Sequence, residues 1–262
     1  MTGPAAESGV ASYPNLAGKV VVITGGSRGI GAATAVAFAV NRARVAVVGR
    51  DRSALDATVD AVTATGADAI GVVADCTVAY QLEALRHTVA ERFGEADILA
   101  TFAGGKGAPV STAAETGQHW RDVLESDLTS TFLTISAFLP TMLARGGGTI
   151  VTMSSAAARH AARSSAAYAA AKAGVIALTR HLAGEYGPAG IRVNCVALSA
   201  IENHRMRSVM TPEQRQALGE TFPLRRIGQP DDVASAALFL ASSASGWITG
   251  ATLDIAGGKV ML

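Results

Sequence analysis

Charge, aromatic rings and cysteine are all scarce in this chain of 262 residues, and each shortage removes a class of function. Charged residues make up 16% and aromatic residues 5%. Lys and Arg number 22 against 21 Asp and Glu, a formal net charge of +1. The chain therefore lacks the basic stripe by which a protein meets nucleic acid. The two cysteines, Cys76 and Cys195, are too few for a disulfide framework. Neither lies in a C-x-x-C pair or beside a His cluster. They are expected as reduced thiols in a cytoplasmic protein with no metal site. No apolar run is long enough to cross a membrane, which takes about eighteen residues or more. Residues 1–17 are rich in Gly, Ala, Ser and Pro and lack the basic start and apolar run of a signal peptide. They are expected to be a flexible N-terminal tail, leaving 18–262 as the folded domain. The partners left open are small molecules and further copies of the chain.

What the sequence does have is 49% hydrophobic residues, arranged as short β-branched runs alternating with longer Ala-rich amphipathic stretches. Strands are expected at Val20–Thr24, Arg44–Val48, Ala69–Val73, Ile98–Thr101, Thr149–Met153, Ile191–Val196 and Ala251–Ile255. Helices are expected at Gly31–Val40, Arg52–Ala64, Ala79–Phe93, Trp120–Leu143, Ala166–Tyr186 and Pro230–Ala241. Continuous apolar strands separated by helices imply a parallel sheet covered on both faces. Right-handed crossovers make it doubly wound, so the expectation is one α/β domain with a seven-stranded parallel sheet flanked by helices. Ligands then bind at the carboxyl ends of the strands, near the topological switch. Between Leu198 and Leu224 the helical signal is short and interrupted, as in a substrate lid.

The first strand runs into Thr24-Gly25-Gly26-Ser27-Arg28-Gly29-Ile30-Gly31, which opens directly into a helix. Glycines allow a tight turn and let backbone N–H groups approach a diphosphate at the helix start. The second strand ends in Val48-Gly49-Arg50, where an NAD site usually places an acid for the ribose hydroxyls. A guanidinium there suits a 2′-phosphate, and Arg28 can face the same group, so the pair favours NADP over NAD. Asp51 stands one residue past the expected acid. After the third strand, Asp75 either accepts from an adenine amino group or caps the following helix.

Tyr168 and Lys172 stand four apart in a strong helical pattern and so share one helix face. A nearby ammonium favours phenolate, which lets a tyrosine exchange a proton with a carbonyl or alcohol oxygen as hydride moves. Ser155, thirteen residues before Tyr168 at the end of the fifth strand, can bond the same oxygen and steady its developing charge.

Taken together, the Thr-Gly-x-x-x-Gly-x-Gly turn, Ser154-Ser155 and Tyr168-x-x-x-Lys172 resemble the short-chain dehydrogenase/reductase (SDR) family, and within it the 3-oxoacyl-ACP reductases. Ile191-Arg192-Val193-Asn194, Gly228-Gln229-Pro230-Asp231-Asp232, Trp247-Ile248-Thr249-Gly250 and Ala256-Gly257-Gly258 fit the same pattern. The resemblance spans Lys19 to about Gly258. It implies a Rossmann-type domain, an NADP(H)-dependent ketoreductase activity and a homotetramer or homodimer. It also implies a cofactor held by Gly25, Ser27, Arg28, Gly29, Ile30 and Gly31, by Arg50, Asp75 and Cys76, by Ala103 and Gly104, and by Ser199 and Ile201, with Tyr168 and Lys172 reaching its nicotinamide ribose. An epimerase, dehydratase or imine reductase on the same framework, and a non-catalytic NADP-binding protein, remain as alternatives.

Several family positions differ. Asn-Asn-Ala-Gly reads Thr101-Phe102-Ala103-Gly104, Pro-Gly reads Leu198-Ser199, and the Thr that normally follows is replaced by Asn203. The catalytic Asn on the fifth helix reads Asp127. In the family that Asn holds a water leading to the Lys. Asp127 either takes its place, adding a charge beside Lys172, or turns towards solvent or a helix carbonyl. Around the expected pocket mouth lie Lys106, Arg159, His160, Arg163, His204 and Arg205, with Phe102, Leu198, Ile201, Met206 and Met210. Six potentially cationic groups near one mouth would attract an anionic carbonyl compound.

Overall fold

The computed structural model describes residues 11–261. Its seven strands are β1 (Val20–Thr24), β2 (Arg44–Gly49), β3 (Ala69–Val73), β4 (Ile98–Thr101), β5 (Gly148–Ser155), β6 (Ile191–Leu198) and β7 (Thr252–Ile255). They form one sheet in the order β3-β2-β1-β4-β5-β6-β7, with every neighbouring pair parallel. All five residues of β1 are buried, as a central parallel strand covered on both faces requires. Successive side chains point to opposite faces. Val21 and Ile23 join the core under α1 (Gly29–Val40), α2 (Arg52–Thr63) and α9 (Pro230–Ala241). Val20 and Val22 join the core under α3 (Ala79–Phe93), α5 (Ser130–Arg145) and α6 (Ala166–Tyr186). The fold is a Rossmann-like α/β domain. The strand order departs from β1 in both directions, towards β2 and towards β4, and so opens a crevice at their carboxyl ends.

The helix expected over Trp120–Leu143 is interrupted. It divides into α4 (Gly117–Leu124), a π-turn over Glu125–Thr129 and α5. The π-turn's wider hydrogen bond, Ser130 N–H to the Glu125 carbonyl, inserts an extra residue and swings Asp127 into the interior, where it is fully buried. Such bulges often mark functional positions.

Two short helices, α7 (His204–Val209) and α8 (Pro212–Glu220), fill the interrupted stretch after β6. Of the expected tail, residues 1–10 lie outside the described residues. The remainder packs onto the fold. Pro14–Leu16 form a 3-10 turn with Leu16 buried, the Tyr13 amide donates to Asn41 Oδ1 (2.6 Å), and Asn41 Nδ2 donates to the Ala11 carbonyl (3.0 Å).

Candidate active site

The glycines of the first turn are dictated by packing. A Cβ on Gly25, at φ +66°, would lie 2.7 Å from the Phe102 carbonyl oxygen, and one on Gly31 would lie 2.2 Å from that of Gly25. Backbone thus meets backbone with no room for a side chain, and the amide-lined start of α1 stays open for an anion. This cradle fits a dinucleotide diphosphate. It forms one end of a cavity of about 690 Å³. The lining includes Ser27, Arg28, Gly29, Ile30, Arg50, Asp75, Cys76, Ala103, Gly104, Ser199 and Ile201, and, at the other end, Ser155, Tyr168 and Lys172. Residues from the ends of six strands thus meet in one crevice.

The two arginines at the edge are exposed, and each faces a carboxylate. Arg28 pairs with Asp51, and Arg50 lies 3.8 Å from Asp75. Asp51 also caps α2 by accepting from Ala54 N (3.1 Å). The Arg28 hydrogen bond, with that cap, holds its carboxyl below the usual range. Asp75 Oδ1 accepts from the Thr77 amide (3.0 Å) and hydroxyl (2.7 Å), which lowers its pKa. It therefore closes the turn before α3 instead of capping it, since the residue at the cap is Val78. Burial pushes the Cys76 thiol up to about 11, so it is a protonated wall residue.

At the chemical end, β5 delivers Ser155. Its Oγ accepts from Ala157 N (3.2 Å), leaving the O–H to donate. Ser165 caps α6 by accepting from the Tyr168 amide (3.1 Å). The Tyr168 hydroxyl has no hydrogen-bond partner among the described residues, and its ring packs beside Gly107, where a Cβ would lie 3.0 Å from Cζ. One turn on, Lys172 is 2% exposed. Its Nζ donates to the Met153 carbonyl (3.2 Å), lies 3.2 Å from Asp127 Oδ1 and sits 5.7 Å from the centre of the Tyr168 ring.

Asp127 is turned inward and does not face solvent. Besides Lys172 it accepts from Gly105 N (2.6 Å), Lys106 N (3.2 Å) and Ser126 Oγ (2.7 Å). Burial opposes its ionisation, but the Lys172 ammonium, the Ser126 hydroxyl and the two amides outweigh it and lower the pKa. Gly104 makes room for the carboxylate: a Cβ there, at φ +129°, would stand 2.6 Å from Oδ1.

The six potentially cationic groups expected at the mouth do not all gather there. Lys106, His204 and Arg205 line the cavity, whereas Arg159, His160 and Arg163 do not. Arg159 instead holds Asp254 of β7 with a two-pronged contact of 3.2 and 2.8 Å. Phe102, Leu198, Ile201 and Met206 supply apolar wall; Met210 does not. Sequence reasoning missed Glu115, whose carboxylate accepts from Ala167 N at the start of α6. Nothing local signals a partner 52 residues away. Ser126 was also missed, although a Ser-Asp pair inside an apolar helical pattern was a visible anomaly.

Comparison with known proteins places this geometry. A family model described as Enoyl-(Acyl carrier protein) reductase matches residues 25–259. The chain is 37% identical to the 7alpha-hydroxysteroid dehydrogenase of Escherichia coli K12, over 94% of this chain and 95% of that one. It is 33% identical to the 3-oxoacyl-[acyl-carrier-protein] reductase FabG of the same strain, over 95% and 100%. Among solved structures it is similar to levodione reductase, with a TM-score of 0.88, 32% identity and coverage of 93% and 98%. It is also similar to a 3-oxoacyl-[acyl-carrier protein] reductase of Brucella melitensis with bound NAD, with a TM-score of 0.86, 33% identity and coverage of 95% and 94%. Identity at this level over nearly the whole chain, together with the glycine cradle and the Ser155, Tyr168 and Lys172 cluster at one crevice, makes this protein a member of the short-chain dehydrogenase/reductase family.

Proposed function

We propose that this chain is an NADP(H)-dependent ketoreductase that interconverts a carbonyl and a secondary alcohol. The observation that carries the reading is the single crevice that joins an anion cradle to Tyr168, Ser155 and Lys172. The cradle at Gly25–Gly31 would hold the diphosphate, Arg28 and Arg50 the 2′-phosphate, and Ala103, Gly104, Ser199 and Ile201 the nicotinamide end. A bound nicotinamide supplies or accepts the hydride. The Tyr168 hydroxyl gives its proton to the carbonyl oxygen, or takes one from the alcohol. The Ser155 O–H donates to that same oxygen and offsets the charge that develops on it. Lys172 places a buried positive charge 5.7 Å from the centre of the phenol ring, where it offsets negative charge that develops as the proton moves. Asp127 holds the ammonium in place and is assigned as its counter-ion. The stretch 198–224 serves as a lid over the substrate.

Two cations on the mouth, Lys106 and Arg205, and the imidazole of His204 have no carboxylate within ion-pair distance among the described residues. They support a carbonyl substrate that bears an anionic group. Exposed Trp120 and Phe132 on α4 and α5 support burial of this surface against further copies, in a homotetramer or homodimer.

The test is to follow NADPH absorbance with ketones presented in matched pairs, with and without a carboxylate, at low and high salt. Net consumption, with a salt-sensitive preference for the carboxylates, is expected. Product without net NADPH consumption would indicate an epimerase or dehydratase instead. A lack of turnover across the panel would point to a binding protein.

A further inference from the structure

We propose that Glu115 is a positioning residue for the proton-transfer site, latching the loop over the cavity to the first turn of the helix that carries Tyr168. The inference rests on Tyr168 as the proton-transferring group. Residues 102–106 of this loop line the cavity, and Gly107 lies against the Tyr168 ring. Near its start the loop is held by Asp127, which takes the amides of Gly105 and Lys106. Towards its end it is held by Glu115, whose two oxygens each lie 3.3 Å from Ala167 N.

Three features separate Glu115 from an incidental surface acid. Its side chain is only 5% exposed, so the carboxylate has been desolvated for these contacts. Its orientation is set from a third element, because His119 Nδ1 on α4 lies 3.0 Å from Oε1, and α4 begins one residue after the Thr116 cap. And α6 already has a cap in Ser165, so Glu115 satisfies an additional free N–H of the first turn. The contact therefore connects the loop, α4 and α6 at one point, next to Tyr168 in sequence. Val123 of α4 packs with Ala167 and Ala171, and Tyr168 rests against that cluster. The phenol ring thus lies between the loop at Gly107 and the α4 contact, and Glu115 ties these two sides together.

Glu115→Ala, Glu115→Gln and Ser165→Ala, each in the full chain, distinguish a latch from a plain helix cap. Backbone hydrogen exchange of residues 102–114, the melting temperature, NADPH affinity and turnover of a ketone that the parent reduces are measured for each. In Glu115→Ala, exchange in the loop rises about tenfold and kcat falls about tenfold, within the range a lost capping contact can supply. NADPH affinity stays within about twofold, because the cradle at α1 is untouched. Glu115→Gln, which keeps an acceptor oxygen, restores most of both losses. Ser165→Ala lowers the melting temperature through a cap of the same helix, yet leaves loop exchange as in the parent. The proposal is overturned if Glu115→Ala leaves loop exchange unchanged, if Ser165→Ala opens the loop equally, or if Glu115→Gln fails to rescue. Loop exchange is read without turnover, so a failure of the ketoreductase assignment and a failure of the latch give different results.

Discussion

Asp127 sits fully buried against an ammonium that is almost as enclosed, and both charges depend on each other. Removing one partner of such a pair strands the other in a medium that solvates it poorly. Asp127→Asn keeps one carbonyl oxygen to accept from the Gly105 amide, but it puts an NH2 where Oδ2 accepts from the Lys106 amide and Ser126 Oγ, and it leaves Lys172 without its counter-charge. We expect it to fold and to lose about 3 kcal/mol of stability at neutral pH, the lower end of the range for breaking a buried pair, measured by urea unfolding. The sign of the acid dependence follows from the depressed pKa of Asp127. The stability it contributes is complete above the unfolded carboxyl pKa of about 3.9 and is lost as pH falls through the lower folded value. The variant lacks that acid-side loss. Activity persists, and the pH–rate profile moves to lower pH, because a negative charge opposing phenolate has gone. A profile that coincides with the parent's would show that the charge of Asp127 does not reach Tyr168.

At the scale of the element, the loops after β1, β2 and β3 decide the cofactor. Arg28 and Arg50 stand exposed at the edge of the crevice, each beside a carboxylate, Asp51 and Asp75. A 2′-phosphate has to draw the guanidinium groups from these carboxylates, which exposed pairs allow at little cost. NADPH is expected to bind at least about tenfold more tightly than NADH, a difference of about 1.4 kcal/mol, and Arg50→Asp to reverse the preference. Fluorescence quenching titrations measure both, and equal affinities in the parent would remove the 2′-phosphate assignment.

The same elements show what a sequence makes legible. β1, β4 and α3 lie where their apolar patterns put them, since a buried parallel strand and an amphipathic helix write their environment into local order. α4 and α5 were read as one helix, because a π-turn adds a residue without breaking the apolar pattern. Ser155, Tyr168, Lys172 and the glycine turn, which line one crevice, were singled out by their fixed local spacing. The pairs Arg28 with Asp51 and Glu115 with Ala167 were not, because they are made by folding distant segments together, and Asp127 beside Lys172 was legible only as one of two alternatives. Arg159 shows the converse: near the mouth in sequence, it is held away by Asp254 of the last strand.

In the whole molecule, helices cover both faces of the sheet while the loops at its carboxyl edge line the crevice, the division expected of a doubly wound fold. The cradle and the phenol lie at opposite ends of one crevice and are built from separate elements, α1 and α6. Cofactor binding and proton transfer should therefore be separable by a single atom. Tyr168→Phe removes only the hydroxyl, which has no other partner among the described residues. The most direct measurement is the rate of NADPH oxidation with a reducible ketone, set beside NADPH affinity, for the parent and Tyr168→Phe. The account predicts turnover lowered by at least about a hundredfold with affinity nearly unchanged. Retention of most of the activity by Tyr168→Phe would contradict it.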